Sequence, residues 1–237
     1  MDTTLLHLQR QVRQLRTLLW LCLSGLAVLA SLFALYWQQQ GQLIRTRGIA
    51  IADSSGRDRI LIGAPLPASP HRVRLDSALV RQHWARLGAD SNEYMQWYRD
   101  YRHSANGLLV MNAEGFDKVL LGDQLPDPNT GRRLYEPTGL LWNDDRGFER
   151  GGLGTNKTAD GQYRTVLGLD DADGEALHLF TLEDGSKALR IAGSRGYLLV
   201  GLSAKKSGLL QTDTAFAGLR YFSPQGKLLW QQSVPLQ

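Results

Sequence analysis

The chain has 237 residues, 27 Lys and Arg against 23 Asp and Glu, and one cysteine. Three of the arginines and one aspartate fall in the first forty residues, so the remainder is close to charge-balanced and carries no basic stripe; this excludes the electrostatic footprint of a nucleic-acid binder. A lone cysteine excludes an intrachain disulfide framework, and residues 41–237 must fold on a hydrophobic core, for which they are numerous enough.

Residues 1–17 read as an amphipathic helix. Leu5, Leu8, Val12, Leu15 and Leu19 are spaced by alternating threes and fours, as in a heptad seam. The pattern fits self-association through Leu5, Leu8, Val12 and Leu15, and equally a helix lying on a membrane surface with Arg10, Arg13 and Arg16 toward lipid headgroups. Residues 18–37, LLWLCLSGLAVLASLFALYW, carry no charge and are long enough for a transmembrane helix. Trp20 near one end and Tyr36 and Trp37 at the other suit the membrane interface. The apolar run is too long for a cleaved signal peptide, and the QQQ that follows is a poor cleavage context, so the segment reads as a signal-anchor. Arginines before the span place the N-terminus inside. The expected location is a bacterial inner membrane, with the C-terminal part in the periplasm or outside. Residues 38–46 read as a linker, and the sole cysteine, Cys22, lies in the span.

From residue 47 onward the chain repeats a turn code. Asp53, Asn112, Asp144, Asp171 and Ser223 each stand three residues before a glycine: Gly56, Gly115, Gly147, Gly174 and Gly226. Asx or Ser at the first position and Gly at the fourth mark a β-turn. Four copies also carry a glycine eight residues earlier, at Gly48, Gly107, Gly139 and Gly218. Apolar runs flank each turn, so each copy reads as a β-hairpin, with another from Ala188 to Val200. Lone hairpins are unstable in water, so these must pair into one sheet system. The expected fold is mainly β: antiparallel hairpins in one domain over residues 47–237, closed like a propeller or barrel or left as an open meander.

Behind three turns stand an acid and a base, Asp58-Arg59, Asp117-Lys118 and Glu149-Arg150. Alternation along a strand would send acids to one face and bases to the other. The glycines at 147, 151 and 152 bracket the third pair and suggest a bulge.

Two connections are longer than a hairpin needs. The first holds a helical insertion over about residues 76–103. Asp76 or Ser77 can cap one helix, ended by Gly88, and Asp90 with Glu93 can cap a second. It carries Trp84, Tyr94, Trp97, Tyr98 and Tyr101, which fit either packing against the sheet or a binding surface. The second, PDPNTGRR over residues 126–133, is dense in special turn residues and presents Asp127, Asn129, Arg132 and Arg133 as a recognition loop.

No motif marks an enzyme. The five histidines form no metal-ligand spacing, no nucleophile elbow or phosphate loop is present, and no cofactor or metal is expected. The Asp171-x-Asp173-Gly174 stretch lacks the ligands of a calcium loop. The function expected is a membrane-anchored binding or assembly module that contacts an envelope protein or polymer through its loops. The alternative is an envelope hydrolase with Asp117 and Glu149 as paired carboxylates at the sheet rim.

Overall fold

In the computed structural model the described residues are 3–40, 45–87, 90–100, 102–127, 129, 136–172 and 174–235. The chain divides into two compact units, Met1–Thr46 and Arg47–Gln237. In the first, helix α1 (Thr3–Gln40) runs unbroken through both the heptad segment and the uncharged segment. It is long and apolar enough to cross a membrane. Leu8, Val12, Leu15 and Leu19 are exposed on it; the side chain of Leu5 lies outside the described residues.

The second unit is one antiparallel sheet of twelve strands in strict chain order. Six hairpins build it: β1 (Gly48–Ala52) with β2 (Asp58–Gly63), β3 (Asn106–Met111) with β4 (Asp117–Asp123), β5 (Glu136–Asn143) with β6 (Glu149–Lys157), β7 (Tyr163–Asp171) with β8 (Gly174–Thr181), β9 (Lys187–Gly193) with β10 (Gly196–Ser203), and β11 (Phe216–Phe222) with β12 (Leu228–Ser233). Neither edge strand pairs with the other, so the sheet is the open meander rather than a closed propeller or barrel. The turn code does what its chemistry requires. Gly56 N–H donates to Asp53 O at 2.9 Å while Asp53 Oδ1 accepts from Ser55 N at 2.9 Å, and the φ of +80° at Gly56 suits glycine. Thr158 to Gly161 and Leu182 to Gly185 make the same backbone turn at the other ends of the strands, between hairpins.

The glycine eight residues before each turn glycine is not part of a turn. Gly48, Gly63, Gly107, Gly122, Gly139 and Gly154 stand opposite one another in a single row across β1 to β6. At Gly107 φ is +159°, and a Cβ would lie 2.0 Å from Leu121 O; at Gly122 it would lie 2.1 Å from Asn106 O. Over β3 to β6, at Gly107, Gly122, Gly139 and Gly154, the row is a line of close backbone approach that a side chain would block.

Alternation gives the sheet two unlike faces. The first holds the row Leu61, Leu109, Leu120 and Leu141, which continues through Gly152, Gly168 and His178 to Arg190, Leu199 and Arg220. Leu66, Ala105 and Leu125 from the long connections close over the leucines, and Leu210 from the β10–β11 connection closes over Leu199 and Phe222. Among the described residues of this unit, none packs over the second face. One of its rows runs Ile49, Ile62, Leu108, Leu121, Leu140 and Leu153 over β1 to β6, then Leu167, Leu179, Leu189, Val200 and Leu219 over β7 to β11. A parallel row starts at Ile51 and Ile60, passes Trp142 lying over Gly151, and ends at Tyr221 and Trp230. Gly151 apart, no residue of either row is buried.

The helical insertion packs on the turn ends of the two hairpins from β3 to β6. Asp76 caps α2 (Ser77–His83) by accepting from Ala78 N and Leu79 N, and Asp90 caps α3 (Ser91–Arg99) by accepting from Asn92 N. Trp84, Tyr94 and Tyr98 are 2%, 2% and 7% exposed and form its core with Val80, Met95 and Phe116. The Arg74 guanidinium lies 4.7 Å from the Trp84 ring centroid, and Phe116 and Phe148 pack edge-on to that ring. A surface offered to a partner cannot include rings so enclosed.

Candidate functional site

Five hairpins carry a β-bulge on the strand that leaves the turn, at the same step of the ladder. It accounts for the acid–base pairs. The bulge places Arg59, Lys118 and Arg150 out of the alternation, and they pair along the turn end: Arg59 with Asp53 at 3.3 Å, Arg150 with Asp144 at 2.8 Å, and Lys118 with Asp145 at 2.8 Å. The sheet is therefore not divided into an acidic and a basic face.

The residue paired just beyond each bulge is Asp58, Asp117, Glu149 or Glu175 in the first four hairpins and Leu228 in the last. Three of these acids face a base. His71 Nδ1 stands 3.8 Å from Asp58, Arg190 donates to Glu175 at 2.9 Å, and Arg72 donates to both carboxylate oxygens of Asp117 at 2.8 and 2.6 Å. Glu149 has no cationic partner among the described residues. Burial pushes its carboxyl up to about 8, with Asp127, Asp170 and Glu175 adding to the rise.

Glu149 lines a cavity of about 420 Å³ on the covered face, between the leucine cluster and the Leu199 cluster. The cavity exists because its floor lacks side chains: Gly152 and Gly168 continue the row that bears leucines over β2 to β5, and Gly154 ends the glycine row beside it. A Cβ on Gly152 would lie 3.7 Å from Glu149 Oε1, and one on Gly168 only 2.6 Å from His178 Nε2, so the carboxyl and the imidazole both lie over glycine. His178 is 7% exposed; its Nδ1 makes no hydrogen bond and stands 3.8 Å from Glu175 Oε2. Burial also raises the Asp170 carboxyl, against a lowering by His178.

The loop after β4 forms the wall. Arg74, itself buried, donates to Asp127 O at 3.1 Å; Asp127 Oδ1 accepts from Asn129 N at 2.9 Å; and Asn129 Oδ1 accepts from Glu149 N at 3.2 Å. The insertion's core thus reaches the cavity through three consecutive contacts.

Of the residues singled out from sequence, the cavity brings together Asp127, Asn129 and Glu149. Asp117 is held away from it in the ion pair with Arg72. Trp84, Tyr94 and Tyr98 are in the insertion's core, Trp97 is half-buried on α3, and Tyr101, Arg132 and Arg133 lie outside the described residues. Asp170, Glu175 and His178 also line the cavity, and no sequence motif singles them out. The signal available for them was their pairing around a turn whose flanking positions already carried acids in three other copies. Among the described residues no group of His, Cys, Asp and Glu could hold a metal ion.

No protein-family model, no curated protein and no solved structure matches the chain.

Proposed function

We propose that this is a single-pass membrane protein whose sheet domain is a binding module in a bacterial cell envelope, and that its recognition site is the cavity at Glu149. The uncharged segment of α1 supports the anchor, and Arg10, Arg13 and Arg16 before it support an N-terminus inside and a domain on the periplasmic or outer side. One observation carries the site: Glu149 alone among the repeat-equivalent acids has a desolvated carboxyl with no base beside it among the described residues. A cationic group on an envelope protein or on an amine-bearing envelope polymer takes the place that His71, Arg72 and Arg190 take in the sibling hairpins. Asp127, Asp170 and Glu175 reinforce the preference for positive charge, and the glycine floor gives the cation room.

Titration calorimetry of the full chain with arginine amide and with its uncharged isostere citrulline amide tests this. Arginine amide binds and citrulline amide does not; Glu149→Gln weakens arginine amide about tenfold or more, the usual worth of a buried charged hydrogen bond. Equal binding of the two amides overturns the site.

An envelope hydrolase is the second reading, favoured by the same raised carboxyl. At neutral pH Glu149 holds a proton to donate, as a general acid must, with Asp170 in the same cavity as a second carboxyl. Turnover of envelope glycans by the purified chain, abolished by Glu149→Gln, would establish it.

A further inference from the structure

The uncovered face of the sheet carries a separate inference. Soluble single chains rarely show a contiguous apolar patch of more than a few hundred Å². Here two apolar rows cross the sheet side by side, and Leu121, Leu153 and Leu179 in their middle are 51%, 49% and 46% exposed. We propose that a second copy of this chain covers this face, the two sheets packing face to face about a two-fold axis.

The dimensions fit. Strands about 4.8 Å apart make the patch roughly 50 Å long, and two rows make it roughly 13 Å wide, so about 1,300 Å² is buried over both copies, within the range of a specific stable interface. The composition fits as well. The rows are aliphatic with Trp142, Tyr221 and Trp230 among them, and carry no charge that a copy of the same face would oppose. Both margins are polar. On one side Thr138, Thr155, Thr165 and Thr181 form a row of their own; on the other, Arg59, Lys118 and Arg150 are already paired with acids. Bases engaged in this way are not a receptor for anionic lipid headgroups, which require a free basic cluster. Sheets stacked about 10 Å apart would interdigitate the rows as in a β-sandwich. The exposed heptad stripe of Leu8, Val12, Leu15 and Leu19 would hold two copies near each other and raise the effective concentration of the sheet contact.

The test uses the full chain in nanodiscs with Cys22→Ser as background. Leu153→Cys and Leu167→Cys, at the centre of the patch, are oxidised in parallel with Ser54→Cys on the β1–β2 turn. The two face variants give a disulfide-linked dimer and Ser54→Cys does not. Adding Leu121→Lys and Leu179→Lys abolishes the crosslinked band while circular dichroism stays unchanged, since neither side chain touches the core. A dimeric mass with no crosslink at either face position overturns the proposal, because α1 alone then holds the copies. So does a monomeric mass with lipid bound in native mass spectrometry, or a crosslink to a different protein. If the lysine variants fail to fold, the cysteine pair on the unaltered face still decides between these outcomes.

Discussion

Arg72 clasps Asp117 through two hydrogen bonds, Nε to Oδ1 at 2.8 Å and Nη2 to Oδ2 at 2.6 Å, with the two side chains only 3% and 8% exposed. The pair joins the helical insertion to β4 and fixes which acid of the repeat is structural. Removing one partner leaves a buried charge uncompensated, so Arg72→Met is expected to cost about 3–5 kcal/mol in urea unfolding, whereas Arg72→Met with Asp117→Leu recovers most of the loss. A double variant no better than the single would show that the pair is not the source of the cost.

The row glycines and the turn glycines separate by substitution. A Cβ at Gly107 meets Leu121 O at 2.0 Å, while at Gly56 nothing lies within 4 Å of it and only the φ of +80° is strained. Gly56→Ala is expected to cost about 1 kcal/mol and Gly107→Ala about twice that or more, because two backbones must part. For a domain of this size each kcal/mol lowers the thermal midpoint by about 2–4 °C, which calorimetry resolves.

Glu149 gives stability a pH dependence of known sign. In the folded chain burial raises its carboxyl from the ordinary 4.5 to about 8. Between those values the unfolded chain has released a proton that the folded chain keeps, so stability falls as pH rises through the window and stays low above it. Glu149→Gln removes this cost. Urea unfolding at pH 4.5 and pH 8 is expected to show the variant no more stable than the parent at the lower pH and about 1–3 kcal/mol more stable at the higher.

His103 acts at the other end. Burial pushes its imidazole down to about 4, and its Nε2 meets Tyr98 O at 2.8 Å. The neutral ring's contribution is complete above pH 6.5, the ordinary value, and is lost as pH falls toward 4, where the unfolded chain binds the proton first. His103→Gln is expected to flatten the loss of stability between pH 6.5 and 4, read from thermal midpoints across that range.

Local chemistry was legible in the sequence and long-range cover was not. The Asx-x-x-Gly code is written within four residues, so the hairpins follow from it, and Asp76 and Asp90 announce their helices for the same reason. The spacing of Gly107 from Gly115 is visible along the chain, but its meaning is the register that sets Gly107 against Gly122 across the strand pair. The bulge at Arg150 shifts alternation by one residue, which a period-two reading of Glu149-Arg150 cannot foresee. Tyr94 and Tyr98 carry the same chemistry in a core as on a docking surface, and only the packing of α3 against Trp84 and Phe116 decides between them. The isolation of Glu149 depends on which acids the insertion happens to reach, since Arg72 is 45 residues from Asp117.

The ionisation of Glu149 on binding tests the proposed site most directly. Arginine amide titrated at pH 7 in two buffers of different ionisation enthalpy, with a pH series from 6 to 9, reports the protons exchanged. A cation that binds the ionised carboxyl releases close to one proton at pH 7, and affinity rises about tenfold per unit up to the carboxyl's value near 8, then levels off. Glu149→Gln loses both the proton release and the slope. Binding without proton release, or a pH series that Glu149→Gln leaves unchanged, would contradict a cation site at Glu149.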